Sequence, residues 1–376
     1  MVTEKTIRQL IQKNDNPKIS LSFPTHKVGD DRQQNPIRFK NLISKAAEQL
    51  KTAGKRDDEI EKILNPAKEL LGQPLFWSNM ELGMVVYITP DYFDVFKIPF
   101  DVREMAYVND HFLITPLLPM LSTNGTYAVM AVSQHKVRLL RCTRTSIVDI
   151  TPESIPLSLD TYLEEKPEPH IQFHTGSRDG DGVMFFGHGS TEEDRKEVTE
   201  QFFRDVEKGI TETLNKFNDP LVLAGLKANT SLYRRINNYS RIVDDAIDQN
   251  ADSLTDANLR DKGWDNIRNF FLSDLYKSLD AYRESSADLI SRDPSEIIIS
   301  TIMGKSAAIF ISKDLVRWGK YDEQQHKVQY KHAKENGDVD LMNWVSIKGL
   351  ETGSRVYVLP KNEMPDHSDV AALFRF

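Results

Sequence analysis

Residues 191–225 read TEEDRKEVTEQFFRDVEKGITETLNKFNDPLVLAG, and this stretch decides the fold. Thr191 followed by Asp194 forms a capping box, in which side-chain oxygens satisfy amides that the first helical turn leaves open. Val198, Phe202, Val206, Ile210 and Leu214 then recur at helical spacing, so one face of the helix is apolar. Leu221–Ala224 is a short apolar run closed by Gly225, the pattern of a buried strand. Upstream lie two strand patterns, Tyr127–Val132 and Val137–Arg141, joined by Ser133–Lys136 in a hairpin, with Ile147–Ile150 as a third. Between them and the helix runs an irregular stretch, Thr151–Ser190, with Pro152, Pro156, Pro167, Pro169 and glycines at 176, 180, 182, 187 and 189. Connections longer than about 12–15 residues are uncommon in compact domains unless they serve a function or lack fixed structure. The order strand, long loop, helix, strand predicts a sheet covered by helices.

Toward the N-terminus, Thr3 caps a short helix carrying Ile7, Leu10 and Ile11, and Ile19–Phe23 alternates as a strand. A polar loop spans Pro24–Pro36. Two helical patterns follow, one from Phe39 to Leu50 and one from Ile60 to Leu71. Met84–Ile88 and Phe93–Ile98 read as paired strands around Thr89–Asp91, and Phe112–Ile114 as another short strand. Toward the C-terminus, Trp264, Ile267, Phe271, Leu275 and Tyr282 mark one long helix after the polar stretch Asp244–Asp261. Ile297–Ser300, Ala307–Ile311 and Arg355–Leu359 read as strands, with a helical pattern over Val339–Leu350. The expected class is α/β, in three α/β domains: 1–122, 123–248 carrying the Gly-rich loop 151–190, and 249–376. A chain of 376 residues suits two or three domains.

Composition narrows the function. Forty-eight Lys and Arg against 56 Asp and Glu give a net charge of −8, which argues against a protein that coats DNA by charge alone. Residues 1–70 are nonetheless basic, with ten Lys and four Arg against ten acids, net +4, leaving −12 for 71–376. A cationic first segment on an acidic body steers one end toward RNA, whereas Lys-rich helices are also simply well solvated. No apolar run reaches the roughly 20 residues that cross a bilayer, and Met1–Gln12 is too charged for a signal peptide. Cys142 is the lone cysteine, so no intrachain disulfide and no cysteine-rich zinc site is available. A protein of a reducing cytosol is expected, with no membrane and no DNA partner.

Several tempting motifs fail. Met303–Ser306 ends like a phosphate-binding loop, but Ile299 stands where the first glycine is needed. Asp179–Gly182 lacks the carboxylate that closes a calcium loop. Gly187–Gly189 is too short for a dinucleotide fingerprint. His170, His174 and His188 lie in irregular chain, where surface histidines are the simpler reading than zinc ligands. The residues thus imply no metal site and no cofactor. Tyr233–Arg234–Arg235 with Tyr239 and Arg241 interleaves cations and aromatics in the manner of RNA contacts, and equally fits an amphipathic helix with its tyrosines turned inward.

Read together, Ile19–His26, Ser133–Arg141, Pro220–Gly225, Val316–Asp322, Arg355–Pro360 and Val370–Phe376 resemble the bacterial archaeo-eukaryotic release-factor superfamily, most closely its family 3. The similarity runs in order over nearly the whole chain, mostly through scaffold segments, which carry the fold better than the chemistry. The resemblance implies a relative of class 1 release factors and Pelota, proteins that imitate tRNA in the ribosomal A site. It implies a first domain toward the decoding centre, an RNase H-like middle domain that extends a loop toward the peptidyl-transferase centre, and a third domain like kink-turn-binding ribosomal proteins. It further implies rRNA of the A-site region and a translational GTPase as partners.

In class 1 release factors that loop carries Gly-Gly-Gln, and no Gly-Gly-Gln occurs in this sequence. The matching region ends in Gly187–His188–Gly189–Ser190–Thr191. His188, Ser190 or Thr191 can orient a water there and His174 can act as a base, or these residues cap the helix and meet RNA phosphates. His26, Lys27, Arg32 and Arg38 at the start of the basic segment, Gly187 and Gly189 in the loop, and Arg234, Arg235 and Arg241 are the candidate ribosome contacts. Three functions follow: a ribosome-associated tRNA mimic in termination-like rescue or ribosome silencing; a peptidyl-tRNA or RNA hydrolase using residues 174–194; and an acidic protein-interaction scaffold without RNA.

Overall fold

A computed structural model of the chain describes residues 2–27, 29–123, 125–165, 192–335 and 337–376. It is α/β throughout and forms two compact units, one of residues 1–124 with 272–376 and one of 125–271.

The first segment runs α1 (Glu4–Ile11), β1 (Lys18–Pro24), α2 (Gln34–Thr52), α3 (Asp57–Leu71), α4 (Pro74–Ser78), β2 (Gly83–Thr89), β3 (Tyr92–Ile98), β4 (Met105–Asn109) and α5 (Pro119–Thr123). Thr3 caps α1 as expected, its Oγ1 accepting from the Thr6 amide at 3.2 Å. The four strands form an antiparallel sheet in the order β3-β2-β1-β4. Ile19, Leu21, Phe23, Met84 and Val86 on one face pack beneath Phe39, Leu42, Leu64 and Trp77 of the helices. Val85 and Tyr87 face the other way, into a core shared with residues after 272.

The middle unit runs β5 (Tyr127–Ala131), β6 (Arg138–Cys142), β7 (Ile147–Asp149), α6 (Leu159–Glu165), α7 (Glu192–Asn215), β8 (Leu221–Ala224), α8 (Lys227–Ile236), β9 (Ile242–Ile247) and α9 (Asp256–Phe271). Its sheet has the order β7-β6-β5-β8-β9, with β5, β6 and β7 antiparallel and β8 and β9 added parallel to β5. This order agrees with the RNase H-like middle sheet that the resemblance implies. Alternation along β5 and β8 feeds two cores. Met130 and Leu223 pack with Phe202, Val206 and Ile210 of α7, while Val129 and Val222 pack with Leu259 and Ile267 of α9.

The remaining elements are α10 (Ser273–Glu284), β10 (Ile290–Ser291), α11 (Pro294–Ile302), β11 (Ser306–Ser312), β12 (Trp318–Asp322), β13 (Lys327–Lys331), β14 (Val339–Asp340), α12 (Leu341–Glu351), β15 (Arg355–Leu359) and β16 (Val370–Phe374). β10-β16-β11-β15 form a mixed sheet, and β13-β12-β14 a small antiparallel one. Phe310 and Ala371 face α10, whereas Ile309, Ile311 and Val370 face α11 and α12.

Four local expectations change. Phe112–Ile114 is not a strand: the Leu113 amide donates to Ser20 Oγ at 2.9 Å and the Ile114 amide to Asn343 Oδ1 at 2.7 Å, so side chains satisfy a buried backbone. Ile297–Ser300 is helical, because Asp293 accepts from the Ser295 and Glu296 amides and Pro294 opens the first turn, which outweighs the β-branched run. The stripe from Trp264 to Tyr282 is two helices. They break at Leu272, and α9 covers the middle sheet while α10 covers the third-segment sheet. The stretch after Thr151 contains α6. The rejected phosphate-loop match is the turn from α11 to β11, where Gly304 (φ +72°) follows the helix end.

Candidate nucleic-acid interface

The candidate contacts fall into three groups. Gly187, His188, Gly189, Ser190, Thr191 and His174 lie outside the described residues, as does the capping role expected of Thr191. What is described is the mount on either side of them. Tyr162 of α6 donates to Asp205 Oδ2 of α7 at 2.7 Å, and its ring meets Phe202 edge-on with centroids 5.5 Å apart. The helix that leads into residues 166–191 and the helix that follows them are therefore fastened to each other.

The second group is the loop after β1. Thr25 donates its amide to the Leu82 carbonyl at 2.8 Å and its hydroxyl to the Glu81 carbonyl at 2.7 Å. Asn35, fully buried, closes a two-point clamp: its Oδ1 accepts from the His26 amide and its Nδ2 donates to the His26 carbonyl, both at 2.9 Å. The loop's polar backbone is thus satisfied from within, which leaves the outer side chains free to face a partner. Lys27 is exposed and pairs with Glu81 at 3.1 Å, a contact that counts for little in water. Arg32 is exposed and donates to the Gly29 carbonyl at 3.1 Å. Arg38, half-exposed on the next turn of α2, forms no ion pair among the described residues. Ile37 beside it is 53% exposed, so the cationic edge includes apolar surface. Asn35 was missed from the sequence. Its signal is a polar residue four before Phe39, on the buried stripe of α2.

The third group divides by role. Tyr233 and Tyr239 are buried, so neither ring is available to a nucleobase. Burial pushes both phenol pKa values up, helped at Tyr233 by Glu207, and the Tyr239 hydroxyl donates to the Asp219 carbonyl at 2.6 Å. Arg234 is spent on the fold, donating to the Val243 and Asp244 carbonyls, each at 2.9 Å. Arg235 points outward and pairs with Glu200 at 2.9 Å. Arg241 donates to the Asn218 carbonyl at 2.7 Å and lies over the exposed Phe270 ring, 5.5 Å from its centroid. Arginine over an aromatic face keeps its planar cation oriented. Among the described residues, no group of three or more His, Cys, Asp or Glu is placed to hold a metal ion.

Residues 127–269 match the model of the family described as bacterial archaeo-eukaryotic release factor family 7. The resemblance to the bacterial archaeo-eukaryotic release-factor superfamily is shown. The family number is 7 where the sequence suggested 3, and the matched span is the middle unit almost from end to end. No curated protein matches the chain. Among solved structures, the archaeal translation termination factor aRF1 is 13% identical, over 100% of this chain and 99% of that one, with a TM-score of 0.24. A ribosome-bound archaeal Pelota is 10% identical, over 99% and 93%, at 0.36. Dom34 of S. cerevisiae, a translation termination-like factor that interacts with Hbs1, is 11% identical over 78% and 80%, at 0.36. The family match over residues 127–269, rather than these superpositions, carries the resemblance.

Proposed function

We propose that this chain is a ribosome-associated, tRNA-mimicking protein that acts in termination-like rescue or in ribosome silencing, without Gly-Gly-Gln chemistry. The observation that carries the reading is the family match over 127–269, a span in which α6 and α7 are fastened together on either side of residues 166–191. In this reading that segment reaches the peptidyl-transferase centre. His26, Lys27, Arg32 and Arg38, on the internally braced loop and the helix after it, meet rRNA near the decoding centre. The three parts expected from the sequence, 1–122, 123–248 and 249–376, with the boundary after the middle one carried to residue 271 by α9, divide the work as first, middle and third domains do in the superfamily. Cytoplasmic location and a translational GTPase partner belong to the same proposal.

The test is cosedimentation with 70S ribosomes at low and moderate salt. Wild type is expected in the ribosome pellet, and an Arg32→Ala, Arg38→Ala double variant is expected to need lower salt to remain there. Absence of wild type from the ribosome pellet at either salt overturns the proposal. Peptide release from ribosome–peptidyl-tRNA complexes by wild type, abolished in His188→Ala, would replace it with the hydrolase reading.

A further inference from the structure

The middle unit carries an open groove between β9 and the last turns of α9, lined by Ser240–Asp245 on one side and by Asn266, Asn269 and Phe270 on the other. We propose that this groove takes an unpaired nucleobase of RNA, stacked on Phe270 and read along its edge by Asp245 and Asn266. The inference rests on the ribosome-associated reading above and adds to it a nucleobase contact on the middle unit.

Four observations converge. Phe270 is 44% exposed, and it is oriented: the Phe271 ring stands nearly perpendicular to it at 84° with centroids 5.7 Å apart, and the tethered Arg241 guanidinium lies to one side, 5.5 Å from its centroid. A lone exposed ring means little, but an oriented ring beside a planar cation is a stacking platform for bases. Asn266 and Asn269, three apart on α9, share one helix face and line the groove. The Asn266 amide brings both a donor and an acceptor to the groove.

The electrostatics select a base over a phosphate. Asp244 and Asp245 are exposed on β9, and α9 ends here, so its partial negative charge adds to theirs. Arg241 is the one cation among the residues lining the groove, against two carboxylates, so the balance disfavours a phosphate and favours a base edge rich in N–H donors. Guanine offers the most, with its N1–H beside the N2 amino group, a pair that one carboxylate can accept together. The rim is fixed as well, because Arg234 holds the Val243 and Asp244 carbonyls of the outer strand.

The test uses the full chain and labelled octanucleotides, U8 and U8 with one central guanosine, followed by fluorescence anisotropy. Wild type is expected to prefer the guanosine-bearing RNA. Phe270→Ala is expected to weaken that binding about 10-fold or more and Phe270→Tyr to retain it. Asp245→Asn is expected to erase the guanosine preference while leaving U8 binding in place. The groove proposal is overturned if folded Phe270→Ala binds like wild type, or if wild type binds neither RNA. Ribosome cosedimentation run beside it separates the two failures. Wild type that pellets with ribosomes while Phe270→Ala binds RNA normally sinks the groove alone, and wild type that never pellets sinks the ribosome reading.

Discussion

The two units bury their sheets in different ways. The middle unit closes both faces of one sheet with its own helices, α7 and α8 on one side and α9 on the other. Its chain ends meet, since a Cβ at Gly125 would stand 1.9 Å from the Phe271 ring. The other unit is built from segments separated by the whole middle unit. Its central core mixes Ile7, Tyr87 and Leu117 with Ile309, Leu341 and Val370. Polar keys lock that seam. Asn343, buried, accepts from the Ile114 and Thr115 amides at 2.7 and 3.2 Å and donates to the Phe112 carbonyl at 2.9 Å. Lys334 donates to Gln49 Oε1 at 3.0 Å and the Val108 carbonyl at 2.9 Å, beside the rings of Tyr107 and Trp318. A continuous segment finds its partners locally, whereas a split one needs directional contacts to choose its register.

The sharpest way to break this contrast is Asn343→Ala. It strands three backbone groups, those of the buried Phe112 and Ile114 and of the half-buried Thr115, at about 1–3 kcal/mol each before relaxation, so a net loss of about 4 kcal/mol is expected. Hydrogen exchange should show that loss across residues 1–124 and 272–376, with amides of β5 and β8 unchanged. A matching loss in the middle sheet would mean that the units are one cooperative body.

Next comes Asp340, buried at the start of α12, where it accepts from the Arg317 and Met342 amides at 3.2 and 3.1 Å. Burial pushes its carboxyl pKa up to about 6, against the pull of those amides and of Arg103. The folded unit therefore holds a proton that the unfolded chain releases near pH 4. Stability tied to this group is present below that pH and is lost as pH rises toward 6, by on the order of 3 kcal/mol. Asp340→Asn keeps the cap and removes the titration. Its denaturation midpoint should not share the wild-type decline between pH 4 and 6, and parallel profiles would refute the assignment.

The smallest effect is expected from Gly125→Ala. The new methyl group displaces the Phe271 ring, at a cost of about 2 kcal/mol. Thermal unfolding should show the middle unit melting earlier while the other transition stays in place.

Much of the middle unit was legible because its signals are local. The stripe from Val198 to Leu214 became α7, and Tyr127–Val132 with Val137–Arg141 became the β5–β6 hairpin. Elements that depend on distant partners were misread. Three apolar residues at 112–114 looked like a strand because their real backbone partners, Ser20 and Asn343, are remote in sequence. Trp264 to Tyr282 looked like one helix because one apolar stripe serves two different sheets. At the candidate interface, the basic residues 26, 27, 32 and 38 were legible as charge. That Asn35 braces the loop was not, nor that Arg234 is occupied by the fold while Arg241 is set over an exposed ring.

By itself the sequence determined the α/β class, the superfamily resemblance, the missing Gly-Gly-Gln and the uneven charge, all of which reside in residue order and composition. Only the tertiary structure decided that residues 1–124 and 272–376 share one core, and which arginines and aromatics have surface to offer. The physical reason is that periodicity reports which face of an element is apolar. It does not report which element will cover that face, and that choice determines what remains for a partner.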